Sequence, residues 1–167
     1  MMRIILVLGP NSSGKSLFAE QLAVETGESR VYVATMVPLT EDNYKRIDKH
    51  RIQRADKCFA TIEAPWNLQE INIDSDTVVL LEDVSNLLAN GIFQYQFSGK
   101  DALKQIKKLS EKCKCLIIVS IDGLVDEGYD EETANYVQQL NWLNKELSKI
   151  AESVYEMRDG VAYEKNI

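Results

Sequence analysis

The run Gly9-Pro10-Asn11-Ser12-Ser13-Gly14-Lys15-Ser16 carries the most specific chemistry in this 167-residue chain. Two glycines with four residues between them, followed at once by lysine and serine, suit a loop that wraps backbone N–H groups around phosphates. The glycines permit backbone angles and a close approach that a Cβ obstructs. Lys15 supplies a point charge to the β and γ phosphates of a nucleoside triphosphate, and the Ser16 hydroxyl is placed to ligate Mg²⁺. Such a loop reads phosphates and not bases, so ATP and GTP both stand as the nucleotide.

A Mg²⁺-bound nucleotide also needs a carboxylate at the tip of a neighbouring strand. The apolar run Thr77-Val78-Val79-Leu80-Leu81 ends in Glu82 and Asp83, two candidates for that carboxylate. A third feature is basic. From Lys45 to Lys57 six Lys/Arg face two Asp, a local +4 in a chain of net charge -7. The only histidine, His50, lies there, with Arg46 and Arg54 four residues to either side on one helical stripe and Arg51 beside it. This pattern fits a solvated helix face with i,i+4 pairs such as Glu41–Lys45 and Asp42–Arg46. It fits equally an anion site in which a neutral imidazole attacks phosphorus.

These residues need a scaffold. Apolar runs of strand length alternate with helical patterns, which predicts an α/β fold with a mainly parallel sheet. Strands are expected at Arg3–Leu8, Arg30–Ala34, Phe59–Glu63, Thr77–Leu81 and Leu116–Ser120. Helices are expected at Lys15–Glu25, Glu41–Asp56, Val84–Leu88, Asp101–Lys112 and Glu131–Glu152. Thr40 caps the second helix, and Glu41 and Asp42 complement its dipole. In the last helix Tyr136, Leu140, Leu143, Leu147 and Ile150 form an apolar stripe. Asp159-Gly160 between Ser153–Arg158 and Val161–Glu164 predicts a closing β-hairpin. Gly91–Lys100, with Phe93, Tyr95 and Phe97 alternating, reads as an exposed strand or a loop, and its aromatics as a subunit contact or as core.

The length fits one domain over residues 1–167, with no linker or repeat. A pI near 4.8 disfavours nonspecific contact with nucleic acid or anionic membrane. No run is long enough to span a bilayer and the N-terminus lacks a signal-peptide pattern, so a cytoplasmic protein is expected. Three cysteines, Cys58, Cys113 and Cys115, argue against a disulfide framework, and Cys115 reads as a buried strand residue.

The order of these segments resembles the bifunctional adenosylcobinamide kinase / adenosylcobinamide-phosphate guanylyltransferase family. The resemblance runs through the phosphate loop, Val31-Tyr32-Val33-Ala34-Thr35, Arg46-Ile47-Asp48-Lys49-His50-Arg51, Thr61-Ile62-Glu63-Ala64-Pro65, and Leu80-Leu81-Glu82 followed by Ser85 and Asn90. A long last helix with Asn144 and a terminal hairpin complete it. The chain departs from the family at Ile121-Asp122-Gly123-Leu124, at Ala134–Gln138 and at Asp83.

The resemblance implies a P-loop NTPase-type fold and a two-step enzyme of cobalamin biosynthesis. A nucleoside triphosphate phosphorylates adenosylcobinamide, and GTP then guanylylates His50, whose GMP passes to the new phosphate. It implies catalysis by His50 and Lys15. It also implies nucleotide contacts by the phosphate loop, by Ala34, Thr35 and Met36, by Arg51, Ile52, Gln53 and Arg54, and by Glu63 and Glu82. Mg²⁺, a corrinoid substrate and a homotrimer belong to the same picture. Two other readings stay open: a P-loop kinase for another small hydroxyl substrate, and a nucleotide-binding regulatory protein without catalysis.

Overall fold

The computed structural model describes residues 3–165. Seven strands form one sheet: β1 (Ile4–Gly9), β2 (Arg30–Ala34), β3 (Phe59–Glu63), β4 (Val78–Glu82), β5 (Cys115–Ile121), β6 (Ser153–Arg158) and β7 (Val161–Lys165). Their spatial order is β3-β2-β4-β5-β1-β6-β7. All neighbours are parallel except β6 and β7, the expected C-terminal hairpin. β1, β4 and β5 are buried on both faces, which is why each reads as an unbroken apolar run.

Alternate residues of these strands feed two cores. Leu6, Leu8, Val79, Leu81, Leu116 and Ile118 face α3 (Val84–Tyr95), α4 (Gly99–Ser110) and α5 (Glu131–Ile150). Ile5, Val7, Val78, Leu80, Ile117 and Val119 face Ala19 and Ala23 of α1 (Lys15–Thr26). The remaining two helical segments are α2 (Glu41–Arg54) and the short 3-10 turn Leu68–Glu70. None of the residues of α2 belongs to either core. That helix is held to the body by polar contacts.

Most elements match the expected ones within two residues, and the differences have identifiable causes. Of the region expected as a short helix followed by a strand or loop, Val84–Tyr95 is one twelve-residue helix, α3, only residues 96–98 form a loop, and Gly99 opens α4. Phe93 and Tyr95 sit on its last turn, Gln96 ends it in a left-handed conformation (φ 58) and Phe97 follows. The alternation imitates a strand, but Phe93 and Tyr95 lie on different sides of a helix end and Phe97 lies beyond it. Trp66 stacks on Tyr95 and Phe97, and Phe93 meets Tyr136. In α5 the buried stripe is Val137, Leu140, Leu143 and Leu147, while Ile150 is exposed where the helix ends. Cys115 opens β5 fully buried, and burial pushes the nearby Cys113 thiol up to about 12.

Gly91 shows how tightly α3 is seated. A Cβ there would lie 2.4 Å from the Trp66 ring, and that ring is itself stacked on Tyr95 and Phe97. Gly91→Ala is expected to destabilise the protein by about 1–3 kcal/mol, since overpacking outweighs the helix-propensity gain. Urea denaturation followed by circular dichroism checks this. An unchanged midpoint would mean that Trp66 moves freely.

Candidate active site

The register of the parallel strands brings the site together. Ala34 lies opposite both Glu63 and Glu82, and Gly9 lies opposite Ile121, so the carboxyl ends of the strands form one edge. Ligands of open α/β sheets sit in the crevice beyond this edge. Here it holds a cleft of about 890 Å³ walled by Asn11–Leu17, by α2 and by Ala34, Glu63 and Glu82. That volume lies at the upper end of small-molecule sites, roughly 300–1,000 Å³, and is large enough for a nucleotide.

The glycine–lysine loop joins β1 to α1. Gly14 has φ +90, and a Cβ on it would stand 3.3 Å from Gly160 Cα of the hairpin turn. A Cβ on Gly9 would lie 2.6 Å from Ser13 Oγ. The hairpin braces the loop from behind, with the Gly160 N–H donating to the Ser13 carbonyl at 3.1 Å. Thr40, Asp83 and Asp130 cap α2, α3 and α5, and Asp101 reaches back to the Ser98 N–H at the start of α4. At α1 no side chain caps the helix and no carboxylate lies in the first turn. Its free N–H groups point at the loop, the arrangement that receives an anion. Gly9 and Pro10 frame the loop from outside the cleft, and Lys15 Nζ donates to the Pro10 carbonyl at 3.0 Å. Burial lowers the Lys15 pKa, opposed by the negative charges of Asp83 and Glu82.

α2 brings His50 onto this loop. His50 Nδ1 lies 3.1 Å from Ser16 Oγ and 3.8 Å from Glu82 Oε2. The hydroxyl of Ser16 has one proton to give. Within its reach are two carboxylates, Glu20 at 3.2 Å and Glu82, both of which can only accept when ionised. The Gln53 amide, at 3.3 Å, donates to the same oxygen. With the proton directed to a carboxylate, Ser16 offers a lone pair to His50, and the network assigns Nδ1–H to the neutral ring. Nε2 then carries the lone pair. Glu82 is itself buried, which raises its pKa, while His50, Tyr32 and Ser16 favour its charged form. Tyr32 donates to Glu82, and burial together with that carboxylate keeps the phenol protonated.

The other expected site residues fall in three places. Ala34, Met36, Gln53 and Arg54 line the cleft. Arg54 is buried with its guanidinium 3.6 Å from the Tyr32 ring centroid, a cation–π contact, and within 3.4 Å of Thr61 Oγ1. Arg51 and Glu63 meet at 3.6 Å on the exposed rim. Thr35 is buried below the cleft floor, where its hydroxyl bonds the Asp83 N–H and carbonyl at 2.8 Å each. Ile52 is 76% exposed and outside the cleft wall. Asp83, the second candidate carboxylate, caps α3 by accepting from the Asn86 N–H at 2.7 Å.

Sequence reasoning gave no site role to Tyr32, Glu20 or Asn90, although Tyr32 and Asn90 fall in segments that carry the resemblance. Asn90 ties two strand ends together by donating to the Thr35 and Pro65 carbonyls at 2.8 and 2.9 Å. Glu20 had a legible signal: it is a charge on the face of α1 that also carries Ala19 and Ala23 to the sheet. A carboxylate at such a position needs a polar reason.

A family model described as cobinamide kinase / cobinamide phosphate guanyltransferase matches residues 5–165. The bifunctional adenosylcobalamin biosynthesis protein CobP of Pseudomonas aeruginosa is 29% identical over 159 residues, covering 89% of each chain. Among solved structures, the RadB recombinase aligns with 92% of this chain and 73% of its own at TM-score 0.48 and 14% identity. Among the described residues no helix is long and apolar enough to cross a membrane.

Proposed function

The chain belongs to the cobinamide kinase / cobinamide phosphate guanyltransferase family, and from that premise we propose that it catalyses two successive transfers through the one cleft. As a family member it is a nucleotide-handling enzyme of cobalamin biosynthesis. In the first transfer the aminopropanol hydroxyl of adenosylcobinamide attacks the γ phosphorus of a nucleoside triphosphate. The bond from that phosphorus to the bridging oxygen breaks, releasing nucleoside diphosphate and the hydroxyl proton. In the second, His50 Nε2 attacks the α phosphorus of GTP, and pyrophosphate leaves. A phosphate oxygen of the acceptor then attacks that phosphorus, displaces Nε2 and carries GMP away as GDP-adenosylcobinamide.

The observation that carries this reading is the position of His50: the only histidine in the chain is seated on the Ser of the phosphate loop, with Nδ1 engaged. A nucleophile held there needs no large movement to reach a phosphate bound by the loop. Lys15 and the N–H groups of Gly14–Ser16 hold the β and γ phosphates. Arg54 adds a buried positive charge, and Glu63 at the rim offers acceptors to the N1–H and N2 amine of guanine.

Ser16 and Glu82 present a hydroxyl and a carboxylate within hydrogen-bonding reach of each other. This hard-oxygen pair fits Mg²⁺, with waters and phosphate oxygens completing the shell. The ion would neutralise charge on the leaving phosphates. On the same reading the chain folds as one domain and assembles as a homotrimer in the cytoplasm, with the half-exposed Phe93, Tyr95 and Phe97 at the subunit contact. Sedimentation velocity measures that assembly.

GTP labelled on the α phosphate should leave acid-labile, alkali-stable radioactivity on the denatured wild-type chain, and GTP labelled on the γ phosphate should leave none. A chain unlabelled by α-labelled GTP would sink the guanylyl step. Transfer of γ label to adenosylcobinamide tests the kinase step separately.

A further inference from the structure

We propose that Glu20, which lies outside the cleft, is a positioning residue for guanylyl transfer, fixing both the Ser16 hydroxyl and the helix that carries His50. The inference rests on the guanylyl-histidine reading above and adds a residue to it. The Glu20 side chain is completely buried, 0% exposed, on α1 one turn beyond the phosphate loop. It accepts hydrogen bonds from three side chains on two other parts of the site. Ser16 Oγ donates at 3.2 Å, Lys57 Nζ at 2.9 Å, and the Gln53 amide also donates. Lys57 lies just past the end of α2, where its carbonyl also receives Arg30 Nη1 at 2.6 Å.

Two consequences follow from this geometry. First, α2 contributes nothing to the apolar cores, so polar contacts decide where it sits. Glu20 gathers two of them, from Gln53 in the last turns of α2, within one turn of His50, and from Lys57 just past the end of that helix. Second, Glu20 shares with Glu82 the role of acceptor for the Ser16 proton, which leaves the Ser16 oxygen to accept from His50 Nδ1. An acceptor is needed for that, and a carboxylate cannot act as a donor. An amide at position 20 keeps one acceptor oxygen and puts an NH₂ donor in place of the other, in a pocket already filled with the donors of Gln53 and Lys57. With Glu82 left as the one carboxylate facing Ser16, a larger fraction of molecules turns the Ser16 proton toward His50 Nδ1, which there moves the ring proton to Nε2 and removes the nucleophilic lone pair. No bond to substrate is made by Glu20; it acts through Ser16, Gln53 and Lys57.

The test uses Glu20→Gln in the full chain, read in two ways. In a ¹⁵N NMR spectrum the single histidine gives an unambiguous pair of ring signals. Wild type is expected to show the Nδ1–H pattern, and Glu20→Gln a shift toward Nε2–H. In parallel, the rate of α-label uptake should fall at least about tenfold, whereas GTP affinity measured in a His50→Ala background should change less than about threefold. Lys57→Gln, which leaves the carboxylate in place, covers the case in which Glu20→Gln does not fold. It should slow labelling about threefold or more with the Nδ1–H pattern retained. Unchanged ring signals with unchanged labelling in the folded variants would overturn the proposal. So would losses of affinity and labelling in equal proportion, the mark of a merely structural residue. If wild type itself takes up no label, the guanylyl reading falls, and the ring signals alone then decide the role of Glu20.

Discussion

His50→Ala is expected to abolish covalent α-label uptake while leaving GTP bound and the kinase step largely intact. The ring supplies the only imidazole in the chain, so no neighbour can replace its nucleophilic nitrogen. Removing a covalent nucleophile costs at least about a thousandfold in the step it performs. Phosphate binding rests instead on the loop, the uncapped start of α1 and Lys15, from which the substitution removes only the hydrogen bond between His50 and Ser16. The γ-phosphoryl transfer should therefore stay within about tenfold of wild type, and the dissociation constant for GTP within about fivefold. His50→Gln offers a sharper version, because the amide can still donate to Ser16 yet cannot form the phosphoramidate. Quantifying label on acid-precipitated chain, beside product formation from γ-labelled nucleotide, measures both activities on one sample. Undiminished label on either variant would place the covalent site elsewhere.

Lys15→Ala is expected to weaken nucleotide binding at least about a hundredfold and both transfers with it. The ammonium is buried beside the loop and is now satisfied by the Pro10 carbonyl, a partner it exchanges for phosphate oxygens. Each charge-assisted hydrogen bond there is worth about 1.5–3 kcal/mol, and contact with two phosphates sums to about 3–6 kcal/mol, a factor of roughly 10²–10⁴. Isothermal titration calorimetry reads the loss directly, and an unchanged dissociation constant would remove the lysine from the phosphate site. A pH dependence accompanies it. Burial holds the free-protein pKa of Lys15 below its ordinary 10.5, and bound phosphates favour the charged form and raise it again. Binding therefore takes up a proton once pH exceeds the lowered value, so affinity falls as pH rises toward 10.5. Lys15→Arg keeps its charge over that window and should lose this dependence.

Much of this molecule is written locally in its chain. A glycine–lysine loop between an apolar run and a helical pattern carries its own conformational requirements, with Gly14 at φ +90, so its shape follows from residue types alone. The strands buried on both faces announce themselves as unbroken apolar runs, and Asp159-Gly160 announces the hairpin. Side-chain meaning was harder to read where two patterns share a composition. Phe93, Tyr95 and Phe97 alternate like a strand, yet they end a helix, because what they pack on is Trp66 and Tyr136, distant in the chain. The basic stripe of α2 is the same in sequence whether it faces water or phosphate. Only the docking of that helix distinguishes the two, and it buries Arg54 against Tyr32 and turns His50 to Ser16.

The amino-acid sequence by itself determined the phosphate loop, the parallel α/β frame and the family, since these depend on short-range backbone preferences and on the period of apolar residues. Tertiary structure alone decided which groups surround the histidine. Ser16 and Glu82 meet it from α1 and β4, with Glu20 behind Ser16 and Tyr32 behind Glu82, and the physical reason is that a hydrogen-bond network is set by distances across the fold, which no local pattern encodes. The ring tautomer, and with it the nitrogen free to attack phosphorus, follows from that convergence.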